Sequence, residues 1–177
     1  MSKRDFLQIT DFSTEELIEV LDFAAEMKKA TKEGKCPKPL NGMSVGTIFH
    51  KPSLRTRISF EVGIYQLGGK SLYITKNEIE LGKRETIEDA GRVLARYLDM
   101  VVIRTFSHED VEKLAEWCSV PVINALTDFT HPCQVVSDLL TINEHLGSYE
   151  GKTVTYIGDG NNMARSWINA ARRLPFK

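Results

Sequence analysis

Two arginines stand where a helix ordinarily carries acids. In KPSLRTRISFE, residues 51 to 61, Ser53 has the type and place of an N-cap, and Ile58, Val62 and Tyr65 recur at helical spacing. The first turn of that expected helix holds Arg55 and Arg57, which oppose the partial positive charge of a helix N-terminus. A bound anion would reverse the conflict. Unpaired backbone N–H groups, the hydroxyls of Ser53 and Thr56 and the guanidinium forks all suit phosphate oxygens. The competing arrangement has one arginine packed along a sheet and paired with an acid from elsewhere.

Three further junctions carry groups able to do chemistry. Arg104 closes the apolar run MVVIR and faces either a ligand crevice or ordinary solvent. In His131-Pro132-Cys133-Gln134, Pro132 suits the first helical position, so His131 falls at the N-cap. The adjoining helix end favours a neutral imidazole there, able to donate to a carbonyl oxygen, although a plain capping histidine beside an exposed glutamine satisfies the same pattern. Gly158-Asp159-Gly160-Asn161-Asn162 matches a dinucleotide fingerprint only in part, since the third glycine is missing at the expected spacing. Such a loop could equally hold the polar end of a small substrate.

The remaining polar groups point to no metal site. His50, His108 and His145 show no ligand spacing, and Cys36, Cys118 and Cys133 form neither a disulfide framework nor a CxxC pair. Free cysteines fit a reducing compartment. With 23 basic and 24 acidic side chains the net charge is −1, which argues against a broadly basic nucleic-acid surface and favours a small anion. No apolar run approaches the roughly 20 residues that cross a bilayer, and the N-terminus lacks the apolar core of a secretory signal, so the expected location is the cytoplasm.

These side chains need a scaffold that gathers them. Apolar runs at 43 to 49, 71 to 75, 100 to 104, 121 to 126 and 152 to 158 read as strands. Helical stretches at about 54 to 67, 86 to 98, 108 to 118, 132 to 146 and 162 to 173 alternate with them, after a first helix opened by Ser13 and Thr14 with Glu15 and Glu16. The alternation predicts an α/β fold, a mostly parallel sheet with helices on both faces and ligands at the carboxyl ends of its strands. In HLGSYEGKT, Gly147 ends a helix and a turn precedes a new strand, which divides the chain into residues 1–147 and 148–177. The second part is then only the first βα unit of another α/β domain, too small to cover both faces of its strand.

Taken together, the motifs resemble one family. FHKPSLRTRISFE is similar to the phosphate-binding segment of the aspartate/ornithine carbamoyltransferases, HPCQ to their carbamoyl-binding segment, and YIGDGNNMARSW to the substrate loop of the ornithine branch. The resemblance implies that Ser53, Leu54 through its backbone, Arg55, Thr56 and Arg57 hold the phosphate of carbamoyl phosphate. It implies that Arg104, His131, Pro132, Cys133 and Gln134 bind the carbamoyl group, with Arg55, Thr56, Arg104 and His131 catalytic, and that Asn162 holds the amino-acid end of L-ornithine. It further implies a cofactor-free synthesis of citrulline in arginine metabolism, a homotrimer, and a full-length protein roughly twice as long. Glu80 stands where a glutamine is common in a loop that reaches a neighbouring subunit's phosphate site; a carboxylate there must turn away or be offset by Lys83 or Arg84. Acetylated or succinylated ornithine is an alternative acceptor within the family, and a non-catalytic anion-binding module is the alternative outside it.

Overall fold

A computed structural model describes residues 3–177. Four parallel strands, β1 (Ser44–Phe49), β2 (Lys70–Thr75), β3 (Met100–Arg104) and β4 (Val122–Leu126), form one sheet in the order β2-β1-β3-β4. Helices α2 (Leu54–Gln66), α3 (Ile87–Tyr97) and α4 (His108–Trp117) make the crossovers; α1 (Thr14–Lys32) precedes the sheet, and α5 (Pro132–Leu146) and α6 (Asn162–Ala171) follow it. From β1 the chain moves outward to β2, whereas from β3 it moves the opposite way to β4. The reversal leaves a crevice between the carboxyl ends of β1 and β3, the general ligand position in such sheets.

Period-two alternation divides the strand side chains between two cores. Ile48, Val101, Ile103 and Val122 pack with Val111, Leu114 and Ala115 of α4 and Ala90 of α3. Val45, Val102 and Ala125 face the other way, toward Ile64 and Phe60 of α2. A third cluster joins Leu17 and Leu21 of α1 to Val135 and Leu139 of α5 and to Tyr149, Ala170, Leu174 and Phe176. The tail of the chain is therefore built into the same body by apolar burial.

Helix starts are locally specified. Ser13 and Glu16 form a reciprocal capping box on α1, Thr86 caps α3 and Ser107 caps α4, each with acids in the first turn. By contrast α2, α5 and α6 have no acid there. Gly147, at φ 80°, closes α5 in a conformation that favours glycine.

One expected element is absent as such. Residues 152 to 158, which the sequence predicts as a strand, pair with none of the four strands and form no regular element. The first part of the run and the residue before it bond to the last residues of the sequence: Gly151 N–H donates to Pro175 O (2.7 Å), Val154 N–H to Lys177 O (2.6 Å), and Lys177 N–H to Lys152 O (2.9 Å). Strand character needs a neighbour along its whole length, and only the first part of this run has one.

Candidate functional site

Between the ends of β1, β3 and β4 lies a cavity of about 580 Å³ lined by Ser53, Arg55, Thr56, Ser59, Phe60, Arg104, Leu126, His131, Cys133, Gln134 and Ser137. The N-termini of α2 and α5, two of the helices without first-turn acids, both deliver residues to it. A slightly larger depression of about 640 Å³ on α1 is lined by Glu16, Glu19, Asp22 and Glu26 with only Arg4 as a cation. Its acidity makes it a poor place for an anion, so charge rather than size identifies the site.

At the α2 end, Ser53 Oγ accepts from the Thr56 N–H (3.4 Å) and donates to Thr56 Oγ1 (3.0 Å). That one residue both caps the helix and orients a neighbouring hydroxyl. From β3, Arg104 donates through Nη1 to Thr56 Oγ1 (3.2 Å) and through Nε to Lys51 O (3.2 Å). Two contacts hold its planar head across the crevice, and burial lowers its pKa from the usual arginine value. Arg55 lies exposed at the rim, and among the described residues it forms no ion pair with an acid. A cation so placed is available to an incoming anion.

At the α5 end, burial and then the charge of Arg104 push the His131 imidazole down to about 4, so it is neutral near pH 7. Its Nδ1 is sealed from solvent without a partner. A buried lone pair is better tolerated than a buried N–H, which assigns the proton to Nε2 and makes that nitrogen a donor. Gln134 Nε2 donates to Asp138 Oδ1 (2.8 Å), fixing the amide so that Oε1 remains an acceptor. The Cys133 thiol is pushed up to about 12 by burial and donates to Asn124 O (3.4 Å), which makes it an inert structural group.

Several expected residues stand elsewhere. Arg57 does not line the cavity: its guanidinium lies 3.8 Å from the centre of the Tyr73 ring and its Nε pairs with Glu61 (2.9 Å). Arg57 thus packs against the sheet as in the alternative arrangement, but its acid partner comes from its own helix, while Arg55 keeps the rim. Glu80 is also away from the cavity, bonded to Lys83 (3.1 Å) with Lys76 at 3.5 Å, and the Lys83 bond lowers its pKa. Leu54 is 74 % exposed, so only its backbone can serve the site. Pro132 is buried at the first position of α5. Asn162 is the first residue of α6; its Nδ2 donates to Thr127 O (2.8 Å), while Asn161 is the helix cap.

Ser59, Phe60 and Ser137 were not singled out from the sequence. Helical spacing could have found the serines, because Ser59 follows Thr56 by three residues and Ser137 follows Gln134 by three. No group of three or more His, Cys, Asp or Glu with metal-binding geometry occurs among the described residues. No helix among them is long and apolar enough to cross a membrane.

Residues 4–144 match the protein-family model described as aspartate/ornithine carbamoyltransferase, carbamoyl-P binding domain. The chain is 51 % identical over 175 residues to the ornithine carbamoyltransferase of Syntrophotalea carbinolica, covering 99 % of this chain and 58 % of that protein. It is 48 % identical over 174 residues to the chloroplastic enzyme of Pisum sativum, covering 98 % and 46 %. Among solved structures, ornithine carbamoyltransferase from Pyrococcus furiosus superposes with a TM-score of 0.93 at 46 % identity, covering 96 % of this chain and 54 % of that one. The Burkholderia thailandensis structure gives 0.95 at 44 % identity, with 98 % and 60 % covered. The chain thus spans about half to three-fifths of the length of these relatives.

Proposed function

Because this chain belongs to the aspartate/ornithine carbamoyltransferase family, we propose that it supplies the carbamoyl-phosphate half of an enzyme that carbamoylates the δ-amine of L-ornithine. The observation that carries this reading is the convergence of Ser53, Arg55, Thr56, Arg104, His131 and Gln134 on one cavity at the topological switch of the sheet. In the reaction the uncharged amine attacks the carbamoyl carbon, a C–N bond forms, the C–O bond to phosphate breaks, and the nitrogen loses a proton. Citrulline and phosphate result, with no cofactor.

Each group has a physical part in that step. Ser53, Arg55, the Thr56 hydroxyl and the backbone N–H groups of the first turn, including Leu54, receive the phosphate, whose charge also satisfies the α2 dipole. Thr56, Arg104 and neutral His131 surround the carbamoyl oxygen and stabilise the charge that builds on it, as preorganised donors do in acyl transfer. Gln134 Oε1 accepts from the carbamoyl NH₂, with Cys133 in the wall beside it and Pro132 buried at the helix start that presents both. Arg57 and Glu80 have no part in holding the phosphate of their own chain, given their Tyr73, Glu61 and lysine partners. Asn162 faces the acceptor's amino-acid end once its bond to Thr127 is exchanged.

The same reading divides the chain into a carbamoyl-phosphate domain, 1–147, and the beginning of an ornithine domain, 148–177. It places the protein in the cytoplasm, in arginine metabolism, as a homotrimer. Leu54, Ile58, Val62 and Tyr65 support self-association, since all four are exposed along α2 at helical spacing. Isothermal titration with carbamoyl phosphate and with inorganic phosphate tests the site. Binding at millimolar or tighter affinity is expected, weakened at least tenfold by Arg55→Ala. No heat of binding to either anion overturns the assignment.

A further inference from the structure

His131 sits at the head of α5, yet its own side chain makes no capping bond there. Its backbone N–H is held from another helix: it donates to Ser166 Oγ of α6 (2.8 Å), 35 residues away in sequence. The hydroxyl has one hydrogen and two lone pairs, and three neighbours use all of them. Ser166 donates to Asn162 O (2.7 Å), so it must accept both from His131 and from the Thr130 hydroxyl at 2.8 Å. Ser166 and Thr130 are completely buried, which closes this junction to water.

Two more side chains of α6 grip the same loop. Asn162 donates to Thr127 O (2.8 Å), and Arg165 donates to Phe129 O (3.0 Å) with its guanidinium 4.1 Å from the centre of the Phe129 ring. Of the three holds, only the one at Ser166 falls on the residue whose imidazole lines the cavity.

We propose that Ser166 is a positioning residue for His131, and that through it α6 sets where the imidazole stands against the carbamoyl oxygen. A hydroxyl is needed because alanine would leave the His131 N–H and the Thr130 O–H buried without an acceptor. Displacement of α6 then moves His131 while leaving the Ser53 to Thr56 turn in place. Affinity for the amide end of the ligand is thereby separable from affinity for its phosphate. The choice of ligand rests on the carbamoyl-phosphate reading; the hold on His131 does not.

The test uses NMR and calorimetry on the 177-residue chain. In the unaltered chain the His131 amide should exchange with solvent as slowly as those of the β4 interior; exchange at the rate of an open loop overturns the proposal whatever the variants do. In Ser166→Ala the titration of the His131 ring should move up from about 4 toward its ordinary value. Affinity for phosphonoacetamide, a stable amide-bearing analogue, should fall about tenfold while that for inorganic phosphate changes less than twofold. Thr130→Val, which keeps the Ser166 bond to His131, should leave both readouts near those of the unaltered chain. Equal perturbation by the two variants, or none by Ser166→Ala, overturns the positioning role. Failure of the unaltered chain to bind either anion, with the NMR behaviour as expected, sinks the carbamoyl-phosphate reading alone.

Discussion

Arg55 and Arg57 are two residues apart and have opposite fates. Arg57 reaches Tyr73 on β2 and Glu61 one turn along its own helix, while Arg55 stays at the rim of the cavity. The motif announced a positive corner but not which arginine would serve it, because the Tyr73 contact depends on β2 lying beside β1. Ser166 was hidden for the same reason, its partner being 35 positions distant. His131 was legible as neutral, although burial rather than the helix end is the main cause. The sign of its effect on stability follows from that. Between about pH 4 and 6.5 the unfolded chain holds a proton on this histidine that the folded chain refuses, so stability falls as the pH is lowered through that window. Its share is at most about 3 kcal/mol before solvent screening is allowed for. His50 and His108, whose pKa values are also lowered by burial, act in the same direction. Urea titrations at pH 7 and pH 5 should show the loss, and His131→Gln should flatten it. An equal slope in that variant would place the titration elsewhere.

At the level of elements, cap chemistry and apolar runs made the four strands and six helices readable to within one or two residues. The exception was 152 to 158, whose Val-Thr-Tyr-Ile pattern is strand-like but whose pairing depends on distant backbone. The caps themselves divide by purpose. Ser13 closes α1 through a box with Glu16 and touches no site, whereas Ser53 closes α2 and also bonds Thr56 Oγ1 in the cavity. Ser13→Ala and Ser53→Ala should therefore each cost about 1 kcal/mol of stability. Only the second should weaken phosphate binding. Matched denaturation and calorimetry on the pair check this, and an equal loss of binding in both would remove the special place given to Ser53.

Across the whole molecule, the switch in strand order brings residues 53, 104 and 131 to one place, which no local pattern predicts. The third core reaches from Leu17 to Phe176, so the last residues are fastened by side chains even where their backbone is open. That open backbone has a cost. Beyond Val154 the run carries backbone donors and acceptors with no strand beside them among the described residues, next to Ile157, which is 92 % exposed, and Tyr156. Such an edge is a template for adding another chain, and addition of this kind does not close on itself as a symmetric ring does. Concentrated solutions should accordingly grow in scattering mass past any trimer, and Ile157→Lys should halt the growth while leaving phosphate binding intact. If the lysine variant aggregates as readily, the open edge is not the cause. The stretch that comes nearest to being a fifth strand is thus, among the described residues, an unpaired edge that accepts whatever strand is laid beside it.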